Sequence, residues 1–118
     1  MSRQRDKGTK FETAFVAYER RALGDHGIRR AAPSGSRDEG DVHGISCGAG
    51  EIVVECKDCR RYELREWLRQ ADAERDNAGA DIGVVAFHLN GVGVADVGSQ
   101  AVLMTVDTFN ALVAGGAL

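Results

Sequence analysis

Gly40–Lys57, G-D-V-H-G-I-S-C-G-A-G-E-I-V-V-E-C-K, is the stretch whose reading decides the fold. The apolar run Ile52-Val53-Val54 leads into Glu55-Cys56-Lys57, and glycines at 48 and 50 supply a turn back to a short strand that begins at Asp41. This is the pattern of a β-hairpin. Side chains alternate across a strand, so Glu51, Val53, Glu55 and Lys57 share one face and Ile52, Val54 and Cys56 the other. With the turn centred near Gly48-Ala49, Asp41 falls opposite residues 55 to 57 on a strand about 4.8 Å away. Two carboxylates and an amine then converge. The apolar run marks an interior strand, where charged residues are costly unless paired or ligating.

Upstream, Phe11, Phe15 and Tyr18 recur at helical spacing, with Ala22 and Leu23 as further candidates, and predict a helix from about Thr9 to Leu23 that stops at Gly24. Glu12 then sits in the first turn, where the helix dipole favours a carboxylate, which is one structural explanation for it. Ile28 to Ala32 reads as a short strand carrying Arg29 and Arg30, followed by a polar, glycine-bearing loop, Pro33 to Gly40, expected to be mobile.

Downstream, Leu64, Trp67, Leu68 and Ala71 form the apolar stripe of a helix spanning Tyr62 to Asn77, with Arg65, Arg69, Gln70 and Glu74 on its polar side. Gly79 is the expected stop. Ile82 to Leu89 suits a strand buried on both faces, and a helix between two strands suggests a right-handed βαβ crossover. Asn90 to Gln100 reads as glycine-rich loop or weak strand and Ala101 to Val106 as a last strand. Asp107 is expected to cap a short helix with Phe109, Leu112 and Val113 inward. The order α, β, β-β hairpin, α, β, β, α predicts a single α/β domain over residues 1–118. Its mixed β-sheet is flanked by helices, an α-β-β-β-α-β core plus a C-terminal strand and short helix.

No apolar run approaches the roughly 20 residues of a bilayer span. The first seven residues are charged and lack a signal core, and three cysteines fit a reducing compartment better than a disulfide framework. A cytoplasmic protein is expected. The net charge of −3 hides an asymmetry. Residues 1–37 hold nine Lys/Arg against four Asp/Glu and residues 38–118 six against fourteen, with no basic residue beyond Arg75. A basic N-terminal third suits a polyanionic partner; a solvated helix face explains it equally well.

Phosphodiester hydrolysis needs a hard divalent cation to polarise the phosphate and a water deprotonated near neutral pH. Asp41 and Glu55 offer oxygen ligands of the kind Mg²⁺ takes, and an adjacent lysine can offset charge on the phosphate. Taken alone, D-x13-E-x-K also arises by chance on exposed strands. Its surroundings are more specific. Lys7-Gly8-x-x-x-Glu12 on a first helix, R-R-A-A-P-S-G-S from Arg29 to Ser36, Asp41, and Glu55-x-Lys57 together resemble the PD-(D/E)XK nuclease superfamily. Within it, residues 5 to 88 are most similar to the small archaeal and phage Holliday junction resolvases.

The resemblance implies a restriction-endonuclease-like fold and a homodimer acting on four-way DNA. It implies Mg²⁺, with Mn²⁺ able to substitute, paired symmetric cuts, and no membrane or small-molecule cofactor. By motif, Glu12, Asp41 and Glu55 would hold the metal, the first partly through water, Lys57 would be the catalytic lysine, and Ser34 would contact the scissile region from a mobile loop. Arg29, Arg30, Ser36, Arg37, Arg60 and Arg61 are the candidate DNA contacts, the arginines mainly through phosphate. Two departures stand out. Gly40 replaces a proline often found before the aspartate, where the backbone only has to turn, and His88-Leu89-Asn90-Gly91 lacks the basic residues common at that place.

Other readings stay open: a restriction-like or repair nuclease of the same superfamily, an inactive DNA-binding module of the same fold, or a zinc-stabilised domain using His43, Cys47, Cys56 and Cys59. Against zinc, Cys56 lies on the face opposite Glu55 and is accounted for by core packing. His43 and His88 read as strand residues rather than general bases, and Gln70 as an exposed helix residue, although related nucleases sometimes place a glutamine near the metal.

Overall fold

One mixed sheet organises the chain, with strands β1 (Arg29–Arg30), β2 (Val42–Cys47), β3 (Gly50–Lys57), β4 (Ile82–Phe87) and β5 (Ala101–Leu103) lying side by side in that order. Helices α1 (Arg3–Leu23), α2 (Leu64–Ala78) and α3 (Val106–Gly116) and a single 3₁₀ turn, Val97–Ser99, complete the elements among the described residues of this computed structural model, which are 3–32 and 38–116. Ser34, Ser36 and Arg37 lie outside them. The architecture is the α/β mixed sheet with flanking helices that the sequence predicts.

The hairpin forms as expected. Cys47 pairs with Gly50 and Val42 with Val54, with an irregularity between Val42 and Ile45. Asp41, just before β2, is thereby set opposite Glu55, and its backbone N–H donates to Val54 O at 3.0 Å. β3 then runs parallel to β4 from Ile52↔Ile82 to Lys57↔Phe87, joined by α2. All six residues of β4 are buried, as befits a strand covered on both sides.

The alternation along β3 sorts its residues between two apolar layers. Val54 and Cys56 join Phe11, Phe15, Val16, Val84 and Ala86 beneath α1, while Trp67 and Ala71 of α2 pack on Val85 and Phe87. Burial of an aromatic such as Phe11, fully enclosed, contributes roughly 1.5–3 kcal/mol. Trp67, on the apolar stripe of α2, is 3% exposed and belongs to the core, as its spacing predicts.

Several boundaries differ. α1 begins at Arg3, six residues before the expected start, so Glu12 lies in its third turn, beyond the reach of the helix dipole. Its apolar face ends at Tyr18, and Leu23 points to solvent. β5 stops at Leu103, and Thr105 rather than Asp107 caps α3, its Oγ1 accepting from Thr108 N at 3.1 Å. Phe109 and Val113, expected inward, are 56% and 58% exposed. α3 touches the body along a narrow line, with Leu112 against the core and Gly115 against Ala49 of the hairpin turn, so a three-residue stripe is too wide to be covered.

Gly40 is not interchangeable with proline here. Its φ of +91° is closed to a proline ring, and a Cβ would come within 2.3 Å of Val53 Cγ2. Gly40→Ala is expected to destabilise the protein by about 2–4 kcal/mol, the sum of left-handed strain and overpacking. Chemical denaturation checks this, and a midpoint equal to that of the wild type would show that the backbone relaxes at no cost.

Candidate metal centre

The parallel pair β3–β4 directs its carboxyl end toward one edge of the molecule, the usual location of ligand sites in open α/β sheets. There the α2-facing side of β3 presents Glu55 and, one pleat on, Lys57, whose Nζ lies 3.3 Å from Glu55 Oε2. Asp41 reaches the same point from the neighbouring strand, its Oδ2 accepting from Cys56 N at 2.8 Å. The predicted convergence of Asp41, Glu55 and Lys57 is therefore present.

Glu55 is only 7% exposed. Burial first, then hydrogen bonding to the Asp41 carboxyl and the charges of Asp41 and Glu74, push its carboxyl far above the usual range, against the pull of Lys57. Glu74, which the sequence pattern puts on the polar side of α2, is 3% exposed. Burial and Asp38 raise its carboxyl too, to about 8. One oxygen from each of Asp38, Glu55 and Glu74 lies within 4.8 Å of the other two.

The sequence held the signal for Glu74: Trp67, Ala71 and Glu74 follow i, i+4, i+7, the spacing of the buried stripe itself. Gln70 also differs from expectation, since its Oε1 is buried without a donor while its Nε2 donates to Glu66 Oε2 at 3.3 Å.

Glu12 approaches Asp41 from α1. Burial and the Asp41 charge raise its carboxyl, and Arg30, with Nε 3.2 Å from Glu12 Oε1, opposes them. Glu12 and Asp41 both lie outside the close Asp38–Glu55–Glu74 trio. Arg29, Arg60 and Arg61 are exposed; Arg60 and Arg61 follow Lys57 at the end of β3. Backbone N–H of Ala31 donates to Asp41 O at 2.8 Å, which brings the arginine-bearing β1 to the rim of the site.

Does this donor set fit a cation? Glu55 Oε1 and Glu74 Oε1 are buried acceptors with no donor, each an uncompensated cost of roughly 1–3 kcal/mol. A hard divalent cation with oxygen ligands removes that cost, and the carboxylates suit Mg²⁺ or Mn²⁺. The sulfur ligands do not assemble. Cys47 pairs with Gly50 at one end of β3, and six residues of strand, about 20 Å, separate that point from Cys56. Cys56 lies in the α1-side core, where burial raises its thiol well above the usual range.

His43 Nε2 is 2.6 Å from Glu39 O, and His88 stacks on Phe11 with its ring nitrogens against Asp58 and Val92 O. Both histidines are engaged structurally. A depression of about 150 Å³ beside Arg29, His43, Ser46 and Ala78 shares no residue with the carboxylate group.

No helix among the described residues is long and apolar enough to cross a membrane. No family model matches this chain, and no curated protein or solved structure matches it significantly.

Proposed function

We propose that the protein is a Mg²⁺-dependent, structure-selective DNA endonuclease of the PD-(D/E)XK type, acting on four-way junctions as a homodimer. The observation that carries the reading is Glu55, 7% exposed in an interior strand, with Lys57 Nζ 3.3 Å from its Oε2 and the Asp41 carboxyl hydrogen-bonded beside it. Such a group in the apolar interior of a strand costs stability and gains a purpose if it ligates.

In this reading Asp41 and Glu55 hold the cation, with Glu12 completing the set from α1. Mg²⁺, when bound, polarises the scissile phosphate and lowers the pKa of the attacking water. Lys57 does the remaining electrostatic work. Its ammonium, oriented by Glu55 Oε2, is free to donate further hydrogen bonds toward a phosphate oxygen and offset the charge that builds up there. The Cys56 N–H fixes the Asp41 carboxylate, so that group is oriented before substrate arrives. Arg29, Arg30, Arg60 and Arg61 supply phosphate contacts that position DNA without reading its sequence. Arg30 must first exchange Glu12 for phosphate, an ion-pair swap at a half-exposed position.

The test is cleavage of a mobile four-way junction against a linear duplex of matching sequence, with Mg²⁺, for wild type and Asp41→Asn. Junction cleavage that Asp41→Asn abolishes is expected. Preference for the duplex would transfer the protein to the restriction-like or repair nucleases, and cleavage that survives in Asp41→Asn would indicate a contaminant and leave a DNA-binding module.

A further inference from the structure

We propose that Asp38, Glu55 and Glu74 form a second divalent-cation site on the α2 side of Glu55, beside the one assigned to Asp41, Glu55 and Glu12; it rests on the nuclease reading only for that first cation.

Three observations support it. The first is convergence. Ligands 2.0–2.6 Å from a common Mg²⁺, Mn²⁺ or Ca²⁺ ion lie no more than about 5 Å apart, and the three carboxylates meet that limit with one oxygen each. The second is that Glu55 and Glu74, both more than nine-tenths buried, each carry a buried Oε1 without a hydrogen-bond partner, that of Glu74 facing the 38–40 segment, 3.7 Å from where a Cβ on Gly40 would stand. Lys57 satisfies only Oε2 of Glu55, so Oε1 is left for a different partner. Gln70, one turn before Glu74 on the same side of α2, adds a third buried oxygen without a donor.

The third observation concerns what packing alone would select. Glu74 continues the Trp67–Ala71 stripe, where an apolar residue would be cheaper by the whole desolvation of a carboxylate. Opposite it, Asp38 is exposed, with its backbone oxygen accepting from Asn77 Nδ2 at 2.8 Å and its Oδ1 from Gly40 N at 2.9 Å. The 38–40 segment is thus fastened to the end of α2, with Asp38 at the surface. Glu55 would belong to both ligand sets, and a cation held here would supply further positive charge beside a phosphodiester at the first.

Mn²⁺ is the probe. Free Mn²⁺ is measured by electron paramagnetic resonance at pH 8 during titration of the full chain, with circular dichroism melts confirming that each variant folds. Wild type is expected to bind two ions per chain, and Glu74→Gln, Asp38→Asn and Asp41→Asn one each. Asp38→Asn keeps the acceptor for Gly40 N and lies at the surface, so it reports on binding even if Glu74→Gln perturbs α2.

One ion in wild type, or two retained in both Glu74→Gln and Asp38→Asn, would overturn the second site. A single ion lost with Asp41→Asn alone does so while leaving the nuclease reading intact. Two ions without junction cleavage supports the second site and sinks the nuclease reading instead.

Discussion

Lys57→Ala is expected to lower the rate of junction cleavage on the order of 10²–10³-fold, almost wholly in kcat, because the ammonium is assigned to charge that develops only in the transition state. The substitution leaves the sheet intact. Lys57 lies at the end of β3 with its side chain 20% exposed, outside both apolar layers. Lys57→Arg is not expected to restore the rate, since a planar guanidinium cannot take the place of a compact ammonium beside Glu55. Glu55→Gln removes a ligand as well and should reduce cleavage to background. Single-turnover rates at saturating DNA are the measurement. A Lys57→Ala rate within tenfold of the wild type would exclude this lysine from the chemistry and reduce Glu55–Lys57 to a structural ion pair.

Without metal, Glu74→Gln is expected to stabilise the protein at pH 8 and to change little at pH 5. Glu55 and Glu74 have folded-state pKa values above the ordinary 4.5, so the folded state binds more protons than the unfolded chain between 4.5 and the raised values. Their contribution to stability is therefore complete below about pH 4.5 and is lost as pH rises, through about 8 for Glu74. Replacing one carboxyl by an amide removes that loss, and each kcal/mol recovered raises Tm by roughly 4 °C for a domain of this size. In the wild type, millimolar Mg²⁺ should raise Tm more at pH 8 than at pH 6, because ligation requires the deprotonated carboxylates. Thermal melts across pH 5–9 with and without Mg²⁺ check both statements. Equal Tm for Glu74→Gln and wild type at pH 8 would mean that the carboxylates are relieved in some other way.

Much of this was legible from residue patterns. The hairpin from Asp41 to Lys57, the helix ending at Gly79 and the buried strand after it follow from periods of two and 3.6 and from glycine at a left-handed cap, all of which are local. Glu12 illustrates where local reasoning failed. A helix start misplaced by six residues made a dipole explanation available that the third turn removes. Phe109 and Val113 failed differently, for their spacing is helical, but nothing in the spacing says how much of α3 the body covers. Glu74 defeats the rule that a charged residue takes the solvent face, since its i+7 relation to Trp67 puts it on the buried one.

What the sequence by itself determined was the identity and pairing of the β-hairpin, and with it the meeting of Asp41, Glu55 and Lys57, because strand alternation and turn position set register over a span of only 17 residues. Tertiary structure alone decided which other carboxylates join them. Asp38 and Glu74 are 17 and 19 residues from Glu55 in the chain. They reach it because α2 folds back across the parallel β3–β4 pair and the 38–40 segment is fastened to the end of that helix. Contacts of that kind depend on how a helix is rotated on a sheet, a quantity set by the packing of Trp67 and Ala71 against Val85 and Phe87 rather than by any spacing within the segments that meet.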